Sequence, residues 1–339
     1  MVPPKLDIPL LGLPAGQAAQ VYALVLLDKA TATGERLTHR DDTEALHDFR
    51  VALRRLRSWL RAYGRHAGIG KKYLRRLKGV AAITNRARDA EVGLAWLATQ
   101  RSTLPERQLA GLNHFAAHLE EEKERAYEFI LTHVPAEWAV QADKLRKRLS
   151  RELHITSQNV FAEVAREQVL ACRDQLASRI DLVQSPEDIT AAHRARISAK
   201  RLRYLLEPLC GEVPDAVPVV KMLAGVQDQL GELHDASVML YRLIEATESA
   251  AMEDAKMQLA LVLKGDLDEN MVTALMSHDT QSGLLILAHR GKWHETAVFN
   301  QILLNLHTRE VQWMLDEVRH LGESLAGLNT DDIGAGYRW

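Results

Sequence analysis

Histidine and arginine recur between residues 47 and 65 at a spacing that collects them on one side of a helix. At about 100° per residue, His47, Arg50, Arg54, Arg57, Arg61 and Arg65 fall within a single arc of about 80°. The opposite side holds Trp59, Ala52, Leu56, Phe49, Leu60 and Leu53, so one face is core and the other nearly pure cation. Like charges at i, i+4 cost a few tenths of a kcal/mol each, and the ladder Arg50, Arg54, Arg57, Arg61 contains no acid. Such a face needs an anionic partner. A planar guanidinium fork matches the oxygens of phosphate or carboxylate in pairs. The simpler alternative is a solvated face, or bridges to the acidic run Glu120-Glu121-Glu122.

The pattern returns 146 residues later. His47-x-x-Arg50-Val51-x-x-x-Arg55-Leu56-Arg57 reappears as His193-x-x-Arg196-Ile197-x-x-x-Arg201-Leu202-Arg203, with Lys200 replacing Arg54. The same offset carries Leu77 to Leu223, Gly79-Val80 to Gly225-Val226, and Asp89-Ala90 to Asp235-Ala236. Two copies of one helical unit are therefore expected. The second stripe is shorter, because Glu207 stands where Arg61 stands in the first. Lys71, Arg75, Lys78 and Arg86 extend the first stripe onto the next segment; its counterpart keeps Lys221 at the Arg75 position.

A ladder that rises ~27 Å over 18 residues suits a long, repeating anion better than a single phosphate. Nucleic acid is one such polymer. Base stacking, however, calls for aromatics among the cations, and only Tyr204 lies near either arc. A polymer of phosphate alone is the preferred ligand, with nucleic-acid binding as the alternative. Metal-dependent phosphate hydrolysis is the catalytic alternative, because His47-Asp48, His234-Asp235 and His278-Asp279 are potential metal ligands. The repeat argues against it: the partner of His47-Asp48 is His193-Arg194, and that of His234-Asp235 is Arg88-Asp89. No catalytic residue, metal or cofactor is assigned.

These side chains need helices to hold them. Prolines and glycines are few and fall between long stretches with apolar residues at i, i+3, i+4 and i+7, and alternating strand-like runs are scarce. An all-α fold follows. Helices are expected at about 15–32, 42–65, 71–100, 105–133, 136–153, 157–182, 187–209, 217–248, 250–269 and 294–326. Asp41-x-x-Glu44 reads as a capping box and Ser185-Pro186-x-Asp188 as its counterpart. The expected architecture is two pseudo-symmetric antiparallel four-helix bundles, residues 1–154 and 155–270, with a helical extension over 271–339.

The 339 residues carry 43 Lys plus Arg and 45 Asp plus Glu, a net charge of −2 that alone would disfavour a polyanion partner. Residues 47–91 hold 13 bases and three acids, so a local +10 is offset by −12 elsewhere. Two isolated cysteines, Cys172 and Cys210, give neither a disulfide framework nor the ligand spacing of a zinc site. The early prolines spoil a secretory signal, and the apolar run Val21 to Leu27 falls short of the ~20 residues a bilayer requires. A soluble cytoplasmic protein is expected, without membrane association.

The two His-headed segments, together with Arg88-Asp89-Ala90-Glu91-Val92 and Leu230-Gly231-Glu232-Leu233-His234-Asp235-Ala236, resemble the CHAD family, the conserved histidine α-helical domain. The resemblance spans about residues 15–270. It implies paired helical bundles with a basic channel, binding of inorganic polyphosphate, location at polyphosphate granules and no intrinsic catalysis. Carried over by position, it implies His47, Arg50, Arg54, Arg57, His193, Arg196, Lys200 and Arg203 as binding residues, with Lys78 and Lys221 beside them. Arg61 joins them from the arc itself. The sequence departs from the family in having Thr84-Asn85 where Leu-Gly is common. It also lacks the Glu-x-Glu-x-Lys motif of a fused triphosphate tunnel domain; Glu120 to Lys123 reads Glu-Glu-Glu-Lys.

Overall fold

A computed structural model describes residues 8–39, 41–42, 44–153, 159–264 and 279–325. Among these the regular structure is helical and no strand forms. The helices are α1 (Ala15–Glu35), α2 (Ala45–Tyr63), α3 (Lys71–Ile83), α4 (Asn85–Arg101), α5 (Leu109–Leu149), α6 (Phe161–Asp181), α7 (Ile189–Leu206), α8 (Ala216–Lys264), α9 (Asp279–Leu306) and α10 (Arg309–Ser324). The all-α expectation holds.

Helix boundaries differ from the periodicity reading at four places, each for a local reason. The run expected over 71–100 divides at Thr84, whose hydroxyl donates to the Ala81 carbonyl at 2.8 Å and competes with the helical ladder. Conversely, α5 runs straight through Pro135, where two helices were expected. Ile130, Val134 and Trp138, all buried at i, i+4 and i+8, hold the helix together against the missing N–H. Nothing in the sequence breaks α8 near residue 249, and it continues to Lys264. The C-terminal run begins earlier than expected, at Asp279, and divides before Thr308, whose Oγ accepts from the Val311 amide and starts α10.

The capping expectations also need correction. Asp42, not Asp41, accepts from the Glu44 amide ahead of α2. Asp188 itself stands at the cap of α7, and its carboxylate accepts from the preceding amides of Gln184 and Ser185. Those amides hold it below the ordinary carboxylate range.

The chain forms two compact units. The first comprises Met1–Asn85, Glu128–Gly231 and Ile302–Trp339. Here α1 packs on α2, α6 on α7, and α10 on α6. Tyr22, Trp59, Tyr63 and Phe161 build an aromatic cluster, and the Trp59 indole donates to the Ala19 carbonyl at 3.0 Å. Gly68, at φ +68°, turns the chain from α2 into α3, and its carbonyl accepts from Arg148 Nε at 3.0 Å. α10 is fixed to α6 by buried Arg173, which donates to the Leu315 carbonyl, and by close contact of Gly322 with Leu170. α10 is thus part of this unit's packing.

The second unit comprises Arg86–Tyr127 and Glu232–Gln301. Its core gathers Leu97, Leu112, Phe115, Leu119, Met239, Leu243, Leu284 and Leu287. Gly111 and Gly283 meet backbone to backbone, where any Cβ would come within 2.6 Å of main-chain atoms.

Candidate functional site: a cationic cleft

The cleft lies in the first unit, where α2, α3 and α7 meet. The apolar face of α2 is wholly consumed by packing: Phe49, Ala52, Leu53, Leu56, Trp59 and Leu60 are all buried. That burial fixes the rotation of α2 and leaves its arginine face outward. The short turn through Gly64, Gly68 and Gly70 brings α3 back alongside α2. On the far side, α7 is bolted to α2 by a buried ion pair. Arg55 Nε lies 2.8 Å from Glu207 Oε2 and Nη2 lies 3.2 Å from Oε1, with each side chain only 6% exposed.

The resulting cleft encloses about 510 Å³. Arg54, Arg57, Ser58 and Arg61 line it from α2, Leu74, Arg75 and Lys78 from α3, and Ile197, Lys200, Arg201 and Tyr204 from α7. Seven of these eleven residues are cationic, and no carboxylate is among them. Burial and the neighbouring Arg61 and Arg54 hold Arg57 below the usual guanidinium value. Burial, Arg61 and Arg179 do the same to Arg201, with Cys172 opposing weakly. Nε of Arg54 is buried and makes no hydrogen bond. The cleft therefore holds mutually repelling cations and an unmet donor, which is what an oxyanion would relieve.

Of the residues expected from sequence, Arg54, Arg57, Arg61, Lys78 and Lys200 meet at this cleft. His47 and Arg50 lie on the first turns of α2, outside its lining; Arg50 Nη1 donates to Thr84 Oγ1 at 2.6 Å and Asn85 Oδ1 at 3.0 Å. His193 and Arg196 occupy the first half of α7, with Arg196 packed over Gly231. Burial, with Arg196 and Lys200 nearby, lowers the His193 pKa. Arg203 turns toward the core: its guanidinium covers the Tyr204 ring at 5.0 Å, and Nε lies 3.5 Å from Glu207. Lys221 is exposed on α8 and does not line the cleft.

Sequence reasoning left Arg75, Arg201 and Tyr204 off the site. Arg75 already lay on the α3 arc. Arg201, the repeat partner of buried Arg55, falls outside the α7 arc, and nothing in the repeat says that its copy should face the cleft.

The acidic run finds its partners away from the ladder: Glu120 pairs with Lys123, Glu121 with Arg125 and Glu122 with Arg242. Asp48, a half of one potential metal pair, is held by Arg36 at 2.5 Å, and Arg36 also binds Asp42. His278 lies outside the described residues.

An all-α chain with His-headed arginine helices lining a cationic cleft has clear relatives. The CHAD domain family matches residues 22–244, and the chain belongs to that family. Among solved structures, it resembles the CHAD domain from the plant Ricinus communis at 21% identity and TM-score 0.58, covering 84% of this chain and 96% of that one. PptA from Streptomyces chartreusis is similar at 17% identity and TM-score 0.58, with coverage of 84% and 98%. At these identities the likeness concerns the fold. No curated protein matches the sequence. Among the described residues, no helix is long and apolar enough to cross a membrane.

Proposed function

We propose that this protein binds inorganic polyphosphate in the α2–α3–α7 cleft, as a non-catalytic scaffold that carries the chain to polyphosphate granules in the cytoplasm. The observation that carries the reading is the convergence of seven cations from three helices on a cleft lined by no carboxylate. Each guanidinium offers a charge-assisted fork to phosphate oxygens, and a docking polyanion releases condensed counterions. His47, Arg50, His193 and Arg196 continue the cationic faces of α2 and α7 beyond the cleft, where a longer chain would run. Arg203 and Lys221 then contribute through the field around the site more than by direct contact.

The test is competition. Labelled polyphosphate should bind and resist displacement by duplex DNA or RNA at equal phosphate concentration in physiological salt. Displacement by nucleic acid would move the reading to a nucleic-acid protein. Phosphate release that depends on Mg²⁺ or Mn²⁺ would make it a hydrolase.

A further inference from the structure

Thr84 and Asn85 hold the positions that the second copy fills with Leu230 and Gly231, an offset of 146. Neither leucine nor glycine offers a side-chain acceptor. In the first copy the pair does two things at once. The Thr84 hydroxyl, fully buried, sends its proton to the Ala81 carbonyl at 2.8 Å, so its lone pair is what meets Arg50 at 2.6 Å. Asn85, the first residue of α4, adds its amide oxygen to the same Arg50 Nη1 at 3.0 Å. The break that separates α3 from α4 thus supplies both acceptors. Arg50 sits one turn, about 6 Å, before Arg54 on the cationic face of α2. Both acceptors are neutral, so these two contacts orient the guanidinium and leave its charge unchanged.

We propose that Thr84 and Asn85 are positioning residues that hold Arg50 oriented for a phosphate just beyond the cleft, extending the ligand path by one helical turn. This inference rests on the polyphosphate reading of the same site. Fixing a long side chain in advance removes part of the ordering cost of binding, which for one rotamer-rich residue corresponds to about a two- to tenfold change in affinity.

Titrations of inorganic polyphosphate of defined length compare wild type, T84V/N85A, R50Q, the triple variant R50Q/T84V/N85A, and N85D. T84V/N85A should weaken binding by about two- to tenfold, and the same pair of changes should add nothing once Arg50 is Gln. N85D gives the second readout. The carboxylate added at position 85, against the same Arg50 Nη1, should leave thermal stability equal or higher, weaken binding, and flatten the dependence of log affinity on log salt by about one contact. Equal effects of the pair with and without Arg50, or N85D binding like wild type, would overturn the positioning role. Failure of the wild-type protein to bind polyphosphate would instead overturn the underlying reading.

Discussion

His193 sits on α7 where burial, together with Arg196 and Lys200, lowers its pKa in the ligand-free protein. A bound phosphate chain has the opposite effect, so protons should be taken up on binding. Affinity should therefore rise as pH falls from 8 to 6 and continue rising toward the depressed ligand-free value. Matched-salt titrations at several pH values check this, with His193→Gln expected to flatten the profile. Folding shows the reverse sign: stability owed to neutral His193 is present above about pH 6.5 and is lost as pH falls through its lowered folded value. Glu207 sets a different kind of constraint. It and Arg55 are each 6% exposed, so removing one takes from the other its two-point charged partner in a buried setting. Glu207→Gln should cost about 3–5 kcal/mol in denaturant unfolding, and Arg55→Met with Glu207→Leu should recover the larger part.

At the scale of elements, the cleft depends on the α2 face. Reversing Arg54, Arg57 and Arg61 to Glu removes three of the seven cations in the cleft and adds three anions, with every apolar contact of α2 retained. Polyphosphate binding should be abolished while helical content stays intact by circular dichroism. Reversing exposed Lys144 and Lys147 on α5 is the control and should change affinity little. Arg148, also basic, is unsuited to that control because it is packed against Gly68.

On α2, Arg54, Arg57 and Arg61 line the cleft on the face the arc gives them, because the core of α2 is so one-sided that only one rotation buries it; His47 and Arg50 lie outside that lining. On α7 the arc brings Lys200 to the cleft but not Arg203, because the two sides of that helix are both partly covered. Ser198 on one flank accepts from Arg179, and Tyr204 and Glu207 engage Arg203 on the other. Arg203 consequently turns inward, and Arg201 takes the place in the cleft that the arc assigned to Arg203. The same limit explains the helix ends. Periodicity registers a hydrophobic stripe, whereas Thr84 acts through one hydroxyl and Pro135 is overridden by tertiary packing.

For the whole molecule, the net charge of −2 divides unevenly. Arg86–Tyr127 and Glu232–Gln301 together hold 11 Lys plus Arg and 18 Asp plus Glu, or −7, which leaves +5 for the unit that contains the cleft. A weakly acidic protein can in this way present one strongly attractive surface and repel polyanions elsewhere. α10 belongs to the C-terminal extension, beyond both copies of the repeat. It packs against α6 through Arg173 and Leu170, a contact between residues far apart in the chain that the periodicity of neither helix registers.

The Arg55–Glu207 bond joins residues separated by 152 positions. During synthesis from the N-terminus, α2 and α3 leave the ribosome long before α7 exists. Through that interval their arginines have no opposing wall, and Arg55 has no carboxylate to enter the core with. The α7 wall of the cleft is made only well after α2 and α3, so a chain truncated before residue 189 would display their bare cationic faces to the RNA that surrounds it.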